Sequence, residues 1–390
     1  MLLRFSPALV LAAAILADGP VAFAQTAEDF KADALSIDRL IEDNYAYLDR
    51  FPSGAATSSP QLRAEAEAVR DSRSLTRYAE RRLAALADPH AITSRSFNDS
   101  WALVPSYSDL WIEQDAGGYR VTAVRPDTPA ATAGVAIGDR LLEVDHAPTA
   151  QAVAAFWRDL GVEAPPDGAG YAARQLAAGR RDRPRVLTIR KASGEVRTVS
   201  LPSLYATPRQ DRPPVAVERG GKALTIRFND SLGDDATISA FDQAMAQARP
   251  GETVILDLTD TPSGGNTVVA RAVMGWFVSS ARPYQVHRLI AEERQSGVPR
   301  QWIEEVLPRA GRHHSGPVKV RVGRWTGSMG EGLAIGLDAL GAKVSGCPMA
   351  GLLGAVYDYR LDHSGLVLKL PTERLSSVGG VRREDFACKP

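Results

Sequence analysis

Cysteine is nearly missing from this sequence. Two residues in 390, Cys347 and Cys388, cannot build a disulfide framework. Neither stands in a CxxC, and no His/Cys cluster has metal-ligand spacing, so neither a metal nor any other cofactor is expected. The two could pair with each other in an exported chain or remain free thiols. An excess of charge is also missing, since Lys+Arg and Asp+Glu both number 46. Balanced charge gives no pull toward nucleic acid or a membrane surface. Arg180, Arg181, Arg183 and Arg185 read as one solvated face in a loop. Long apolar runs are absent as well. Residues 8–17 form the only marked one and are too short to span a bilayer, so no stable membrane insertion is expected.

What is present begins with that short run. Arg4 precedes it and Ala22-Phe23-Ala24 follows it, the pattern of a cleaved export signal over residues 1–24. The mature chain is then an exported protein, periplasmic in a Gram-negative cell. A hydrophobic content of 44% is ample for two or three domains with cores.

Residues 25–100 carry helical spacing. Phe30, Ala34, Ile37, Ile41, Tyr45 and Leu48 share one face, and Ser59-Pro60 opens a further helical run that stops before Pro89. A small N-terminal helical bundle is expected there. His90 stands just past its end, in a loop beside that boundary. His146, His287, His313, His314 and His363 have no such boundary to hold them.

Residues 101–203 change to β-type patterning. A strand over 119–124 leads into Pro126-Asp-Thr-Pro129-Ala-Ala-Thr-Ala-Gly134, then Gly138-Asp139 and a strand over 141–144. Residues 186–190 and 196–201 flank Ser193-Gly194 as a hairpin, and 150–183 looks like an insertion. Residues 204–214 are rich in Pro and Arg and read as a linker. From there to residue 390, strands at 223–228, 253–258 and 318–322 alternate with helices at 236–248 and 268–278, the pattern of an α/β layer fold.

Two turns in that last stretch carry chemistry. Thr326-Gly-Ser328-Met-Gly-Glu331 joins a strand to a helical run, Met329, Leu333, Leu337 and Leu340. Flanking glycines allow a sharp corner that holds a hydroxyl at a helix N-terminus, where N–H groups favour developing negative charge. Ser328 is thus a candidate nucleophile, although a serine there also serves as an ordinary cap. Gly264-Gly265 forms a second strand-to-helix turn whose N–H groups suit an oxyanion hole.

The Pro126 to Asp145 stretch resembles the SPAxxAG…GD signature of PDZ domains, which bind extended peptide ends. Their carboxylate-binding loop is not recognisable around residues 104–111. In order, the PDZ-like stretch, Asp257-Leu258…Gly264-Gly265 and Thr326-Gly-Ser328-Met-Gly-Glu331 resemble the tail-specific (C-terminal processing) serine protease family. The resemblance implies a multidomain α/β protein with an N-terminal helical bundle, a PDZ-like β-rich domain and a ClpP/crotonase-like protease core. It implies Ser328 as nucleophile, with the oxyanion held by the N–H of Met329 and one from Gly264 or Gly265.

The commonest branch of that family places a lysine base where this sequence has Leu352, in Gly346-Cys-Pro-Met-Ala-Gly351-Leu352. A serine needs a base. The tricorn-like branch resembles this chain more, because its histidine lies just before the PDZ-like module, where His90 stands. That resemblance also implies a carboxylate from the C-terminal part of the core. Glu373 is the first candidate, with Asp358 and Glu384 behind it, while Glu331 is expected to support the corner. The implied activity is peptide-bond hydrolysis on polypeptide substrates. A binding protein on the same scaffold, as in retinoid-binding relatives, and a small-molecule esterase are the rival readings. Nothing in the sequence fixes an oligomeric state.

Overall fold

The computed structural model describes residues 25–56, 58–208 and 211–389. The export segment, residues 1–24, lies outside the described residues. Local sequence explains the first helices. Thr26 caps the Ala27–Asn44 helix, and Asp29 answers the Thr26 N–H at 2.8 Å, closing a capping box. Phe30, Ala34, Ile37 and Ile41 are buried along one stripe of it. Ser59 caps the Pro60–Ala68 helix, as the Ser-Pro pair predicts. The run expected to continue to Pro89 is instead broken, because Asp71 and Ser74 form a second capping box and start the Ser72–Ala84 helix.

Strands Leu110–Asp115, Gly118–Val124, Arg140–Val144, Arg185–Arg190 and Val196–Leu201 form an antiparallel sheet in that order. The expected insertion is two helices, Thr149–Leu160 and Gly168–Ala178. The second lies along the outer edge of Leu110–Asp115. Arg174 donates to the Ile112 carbonyl at 3.2 Å, and Gln175 donates to that of Ala102 at 2.6 Å. One carbonyl of that strand is therefore already engaged by a side chain of the helix. The arginine run is not one solvated face. Arg180 stacks over Trp101 at 3.7 Å, and Arg185, at an inward strand position, pairs with buried Asp109 at 2.6 Å. Strand alternation, rather than local charge, decides where Arg185 goes.

The C-terminal core has a parallel sheet in the order Lys343–Ser345, Val318–Arg321, Thr253–Asp257 and Ala223–Phe228, with Val215–Gly220 antiparallel at one end. Leu224, Ile226, Val254, Leu256 and Val320 share one apolar core with Phe241, Val273 and Leu333 of the following helices. A second sheet has the order Ile92–Thr93, Val367–Ser376, Arg282–Leu289, Gln301–Val306, and Ala355–Arg360 also pairs with Val367–Ser376. Sequence reading assigned none of these strands. Its smallest member matters most: Ile92 pairs with Lys369 and Thr93 with Leu368. That pairing ties the loop carrying His90 to the C-terminal sheet. Among the described residues, no helix is long and apolar enough to cross a membrane.

Candidate active site

The corner before the Met329–Ala339 helix is stitched to the end of the neighbouring parallel strand. Thr326 Oγ1 donates to the Leu258 carbonyl at 2.7 Å, Gly327 N–H to that of Thr261 at 3.1 Å, and Thr261 N–H to that of Trp325 at 2.9 Å. This is the carboxyl end of a parallel sheet, where such folds place their sites. Ser328 emerges with φ 50 and ψ −114. A non-glycine residue held there stores about 1–3 kcal/mol of strain, which the surrounding structure must offset.

Glu331 is the support. Its carboxylate, fully buried, accepts the N–H of Ser328 at 2.8 Å, of Gly351 at 2.8 Å and of Leu352 at 3.2 Å. Burial pushes this carboxyl up to about 7, against the pull of Arg383 and the three N–H donors. Glu331 therefore clamps the serine corner to the loop that follows the next strand, as the sequence reading expects.

His90 Nε2 lies 3.0 Å from Ser328 Oγ, across 238 residues of sequence. Its Nδ1 lies 2.6 Å from the Leu353 carbonyl oxygen. A carbonyl can only accept, so Nδ1 carries the proton and Nε2 presents its lone pair to the serine. The His90 N–H donates to Asp88 at 2.9 Å, which fixes the loop backbone. Burial, and then the Arg383 guanidinium, pull His90 from its ordinary 6.5 down to about 4, although the Leu353 bond acts the other way. The imidazole is neutral at pH 7 and can take a proton.

Sequence reasoning expects Glu373 to close on His90, and the structure corrects this. Glu373 accepts from His287 Nδ1 at 2.9 Å and from the Tyr357 hydroxyl. Leu289 pairs with Glu373 and His287 with Leu375, so His287 and Glu373 are diagonal neighbours on one sheet face. His287 also meets Glu304 at 3.1 Å. Burial pulls His287 down, but the hydrogen bonds and charges of Glu304 and Glu373 outweigh it and push it up to about 9. His287 is thus rigidly held, contrary to the sequence expectation. Asp358 pairs with Lys369 at 2.7 Å. Glu384 accepts from the Tyr47 hydroxyl at 3.5 Å and lies 3.7 Å from Arg382, and burial raises it. Sequence reading missed the Leu353 carbonyl because a main-chain acceptor has no side-chain signature. The alternation Gln285, His287 could have placed His287 on a strand face.

Gly264 and Gly265 sit where no side chain fits. A Cβ on Gly264, whose φ is +68, would lie 2.5 Å from Ser328 Cβ, and one on Gly265 would lie 2.1 Å from the Leu232 carbonyl oxygen. The Gly264 N–H closes a turn on the Thr261 carbonyl at 3.2 Å. Among the described residues, no acceptor takes the N–H of Gly265 or of Met329. Leu352, at the position where a lysine base would stand, is buried in an apolar cluster with Trp111 and Trp325. Among the described residues, no group of side chains has the makings of a metal site.

No family profile and no curated protein matches the chain. Solved structures do. The photosystem II D1 C-terminal processing protease is similar over 92% of this chain and 92% of its own, at 16% identity and a TM-score of 0.55. Mature CPAF is similar over 93% of this chain and 92% of its own, at 15% identity and a TM-score of 0.57. CPAF complexed with lactacystin gives 14% identity and a TM-score of 0.56, over 93% of both chains. At such identities the likeness is one of fold, and the fold is a mixed α/β one shared with C-terminal processing proteases.

Proposed function

We propose that this chain is an exported serine endopeptidase of the tail-specific type, with Ser328 as nucleophile and His90 as general base. The observation that carries the proposal is the 3.0 Å contact between His90 Nε2 and the oxygen of a strained serine. Support also comes from the tautomer, which leaves Nε2 free to accept, and from the two unengaged N–H groups of Met329 and Gly265. The fold shared with processing proteases favours a peptide bond over a small ester.

In the proposed reaction Ser328 Oγ attacks a peptide carbonyl as His90 Nε2 takes its proton. The Met329 and Gly265 N–H groups, with the helix N-terminus behind Met329, stabilise the oxyanion. His90 returns the proton to the leaving amine, and water then hydrolyses the acyl-enzyme by the same steps. The Leu353 carbonyl takes the place of the usual third carboxylate. It orients the ring but supplies no full negative charge to the imidazolium, so His90 is a weak base in this state.

The β-rich sheet is read as PDZ-like and the preceding helices as the N-terminal bundle. The Cys347–Cys388 disulfide fits an oxidising compartment, and with the signal pattern of residues 1–24 it favours the periplasm. The test is a fluorophosphonate probe, read by intact mass and peptide mapping. A single adduct on Ser328, absent in Ser328→Ala and at least 100-fold slower in His90→Ala, supports the reading on the scale usual for general-base loss. Equal labelling in His90→Ala refutes the base assignment.

A further inference from the structure

The chain's last residues return to the site. Arg383, 4% exposed, begins a short 3-10 turn, Arg383–Asp385. Its guanidinium donates to the Leu352 carbonyl at 2.6 Å and to that of Gly354. Those two carbonyls flank Leu353, whose own carbonyl holds His90 Nδ1. Glu331 grips the same loop through Gly351 and Leu352. A covalent bond closes the arrangement. Cys347 stands at the start of the loop and Cys388 beyond the turn, and they form a disulfide with Cα atoms 5.5 Å apart.

Two holds therefore act on the loop that orients the base. The Glu331 hold comes from within the core. The Arg383 hold comes from a peripheral segment, in which Phe386 and Cys388 are only partly buried at the margin of the parallel-sheet core. Beyond the disulfide, Lys389 makes an exposed ion pair with Asp338 at 2.8 Å, a contact of little strength. The segment is tied at its near end by the Ser376–Arg382 bridge to the Val367–Ser376 strand, and the cross-link ties its far end. We infer, resting on the reading of Ser328 and His90 above, that Arg383 is a positioning residue for His90. We infer with it that the Cys347–Cys388 disulfide, by keeping Arg383 on the loop, makes the reactivity of Ser328 depend on oxidation of that pair.

The redox step balances with a dithiol reductant. The dithiol supplies two electrons and two protons, the Cys347–Cys388 bond breaks to two thiols, and the dithiol closes to its own disulfide. The freed segment takes Arg383 off the loop. Leu353 then loses its fixed direction, and the His90 ring loses its tautomer anchor. The charged group acting on His90 is Arg383; Asp88 on the same loop is itself faced by Arg50, Tyr45 and Glu384, and Glu331 behind the serine is faced by Arg383. Of these, Arg383 is the cation that holds His90 down.

The experiment measures the rate of fluorophosphonate labelling at Ser328 in the full chain. It compares oxidised protein, protein reduced with dithiothreitol, Cys347→Ser/Cys388→Ser, Arg383→Met and Arg383→Lys, with thiol counting and circular dichroism on each. Labelling is expected to fall at least tenfold on reduction and to recover on reoxidation, and to stay low in the double serine variant. Arg383→Met is expected to label at least tenfold more slowly, with its acid limb moved to higher pH. Arg383→Lys is expected to keep the wild-type limb and regain part of the rate, a pattern that mere loss of packing does not produce. Equal rates in oxidised protein and in folded protein with two free thiols overturn the redox dependence. An Arg383→Met variant that labels like wild type overturns the positioning role. The ¹⁵N signals of the His90 ring decide both cases where labelling cannot, whether Arg383→Met fails to fold or the oxidised wild type gives no Ser328 adduct and the hydrolase reading fails. A His90 Nδ1–H signal unchanged between oxidised and reduced wild type overturns the inference, and its loss on reduction supports it.

Discussion

Lowering the pH tests the site most directly, because the proposed base must be neutral to act. His90 is pulled to about 4 by burial and by Arg383. At pH 5.5 a histidine of that pKa is about 97% neutral, whereas one at the ordinary 6.5 is only about 9% neutral. The two cases differ about tenfold in labelling rate at one accessible pH. The assay is the fluorophosphonate rate at Ser328 between pH 8 and 4, with probe hydrolysis subtracted. The expected profile is nearly level from 7.5 to 5.5 and falls to half near 4. Glu331, pushed up to about 7, titrates inside the same window. Repeating the profile in Glu331→Gln separates the two, since a step near 7 that vanishes in that variant belongs to Glu331. A tenfold fall between pH 7.5 and 5.5 that persists in Glu331→Gln would refute the argument that burial and Arg383 control His90.

Other expectations follow from the same contacts. Replacing Ser328 removes labelling in every case, but Ser328→Gly is expected to be about 1 kcal/mol more stable than Ser328→Ala in urea unfolding, because glycine accepts φ 50 without a Cβ clash. Glu331→Gln presents an NH₂ to at least one of three N–H donors and is expected to cost about 1–3 kcal/mol. A cost below about 0.5 kcal/mol would mean the clamp is not a stabilising element. The same variant tests proton linkage. His90, depressed in the fold, contributes stability that is present above 6.5 and lost as pH falls toward 4. Glu331, raised in the fold, contributes stability that is present below 4.5 and lost as pH rises through 7. The two slopes oppose between 4.5 and 6.5, so as pH rises across that window the stability of Glu331→Gln relative to wild type is expected to improve by about 2 kcal/mol, starting from the cost above. Parallel curves for the two proteins would count against the assignment. Glu373→Gln is expected to destabilise the sheet by loosening His287 and Tyr357 while labelling stays within about threefold of wild type, and a hundredfold loss would return Glu373 to the base.

The parts of the fold visible in the sequence were those with local rules. Ser59-Pro60 marked a helix start, and residues 223–228 coincide with the Ala223–Phe228 strand. Ser328, Gly264 and Gly265 were singled out through the same logic, since a sharp corner leaves a glycine signature. His90 was singled out because it follows an element boundary, at the place where the tricorn-like branch it resembles has its histidine. What stayed hidden was set by distant pairing. The strands Arg282–Leu289 and Val367–Ser376 have mixed, charged compositions, and only their mutual register buries His287 against Glu373. That register also turned Glu373 away from His90. Arg185 looked like part of a charged loop until Asp109, 76 positions earlier, appeared beside it in the core.

The Ile92–Thr93 strand has a consequence for when the chain acquires its chemistry. His90 and Ser328 are 238 positions apart, and the strand that brings them together pairs with Val367–Ser376, close to the end of the sequence. Contacts of such separation form late, after local helices and hairpins, because a long loop must close first. A partly folded or truncated chain would carry a finished serine corner with no base beside it. The His90–Ser328 contact thus comes into being only once Ile92–Thr93 has paired with Val367–Ser376.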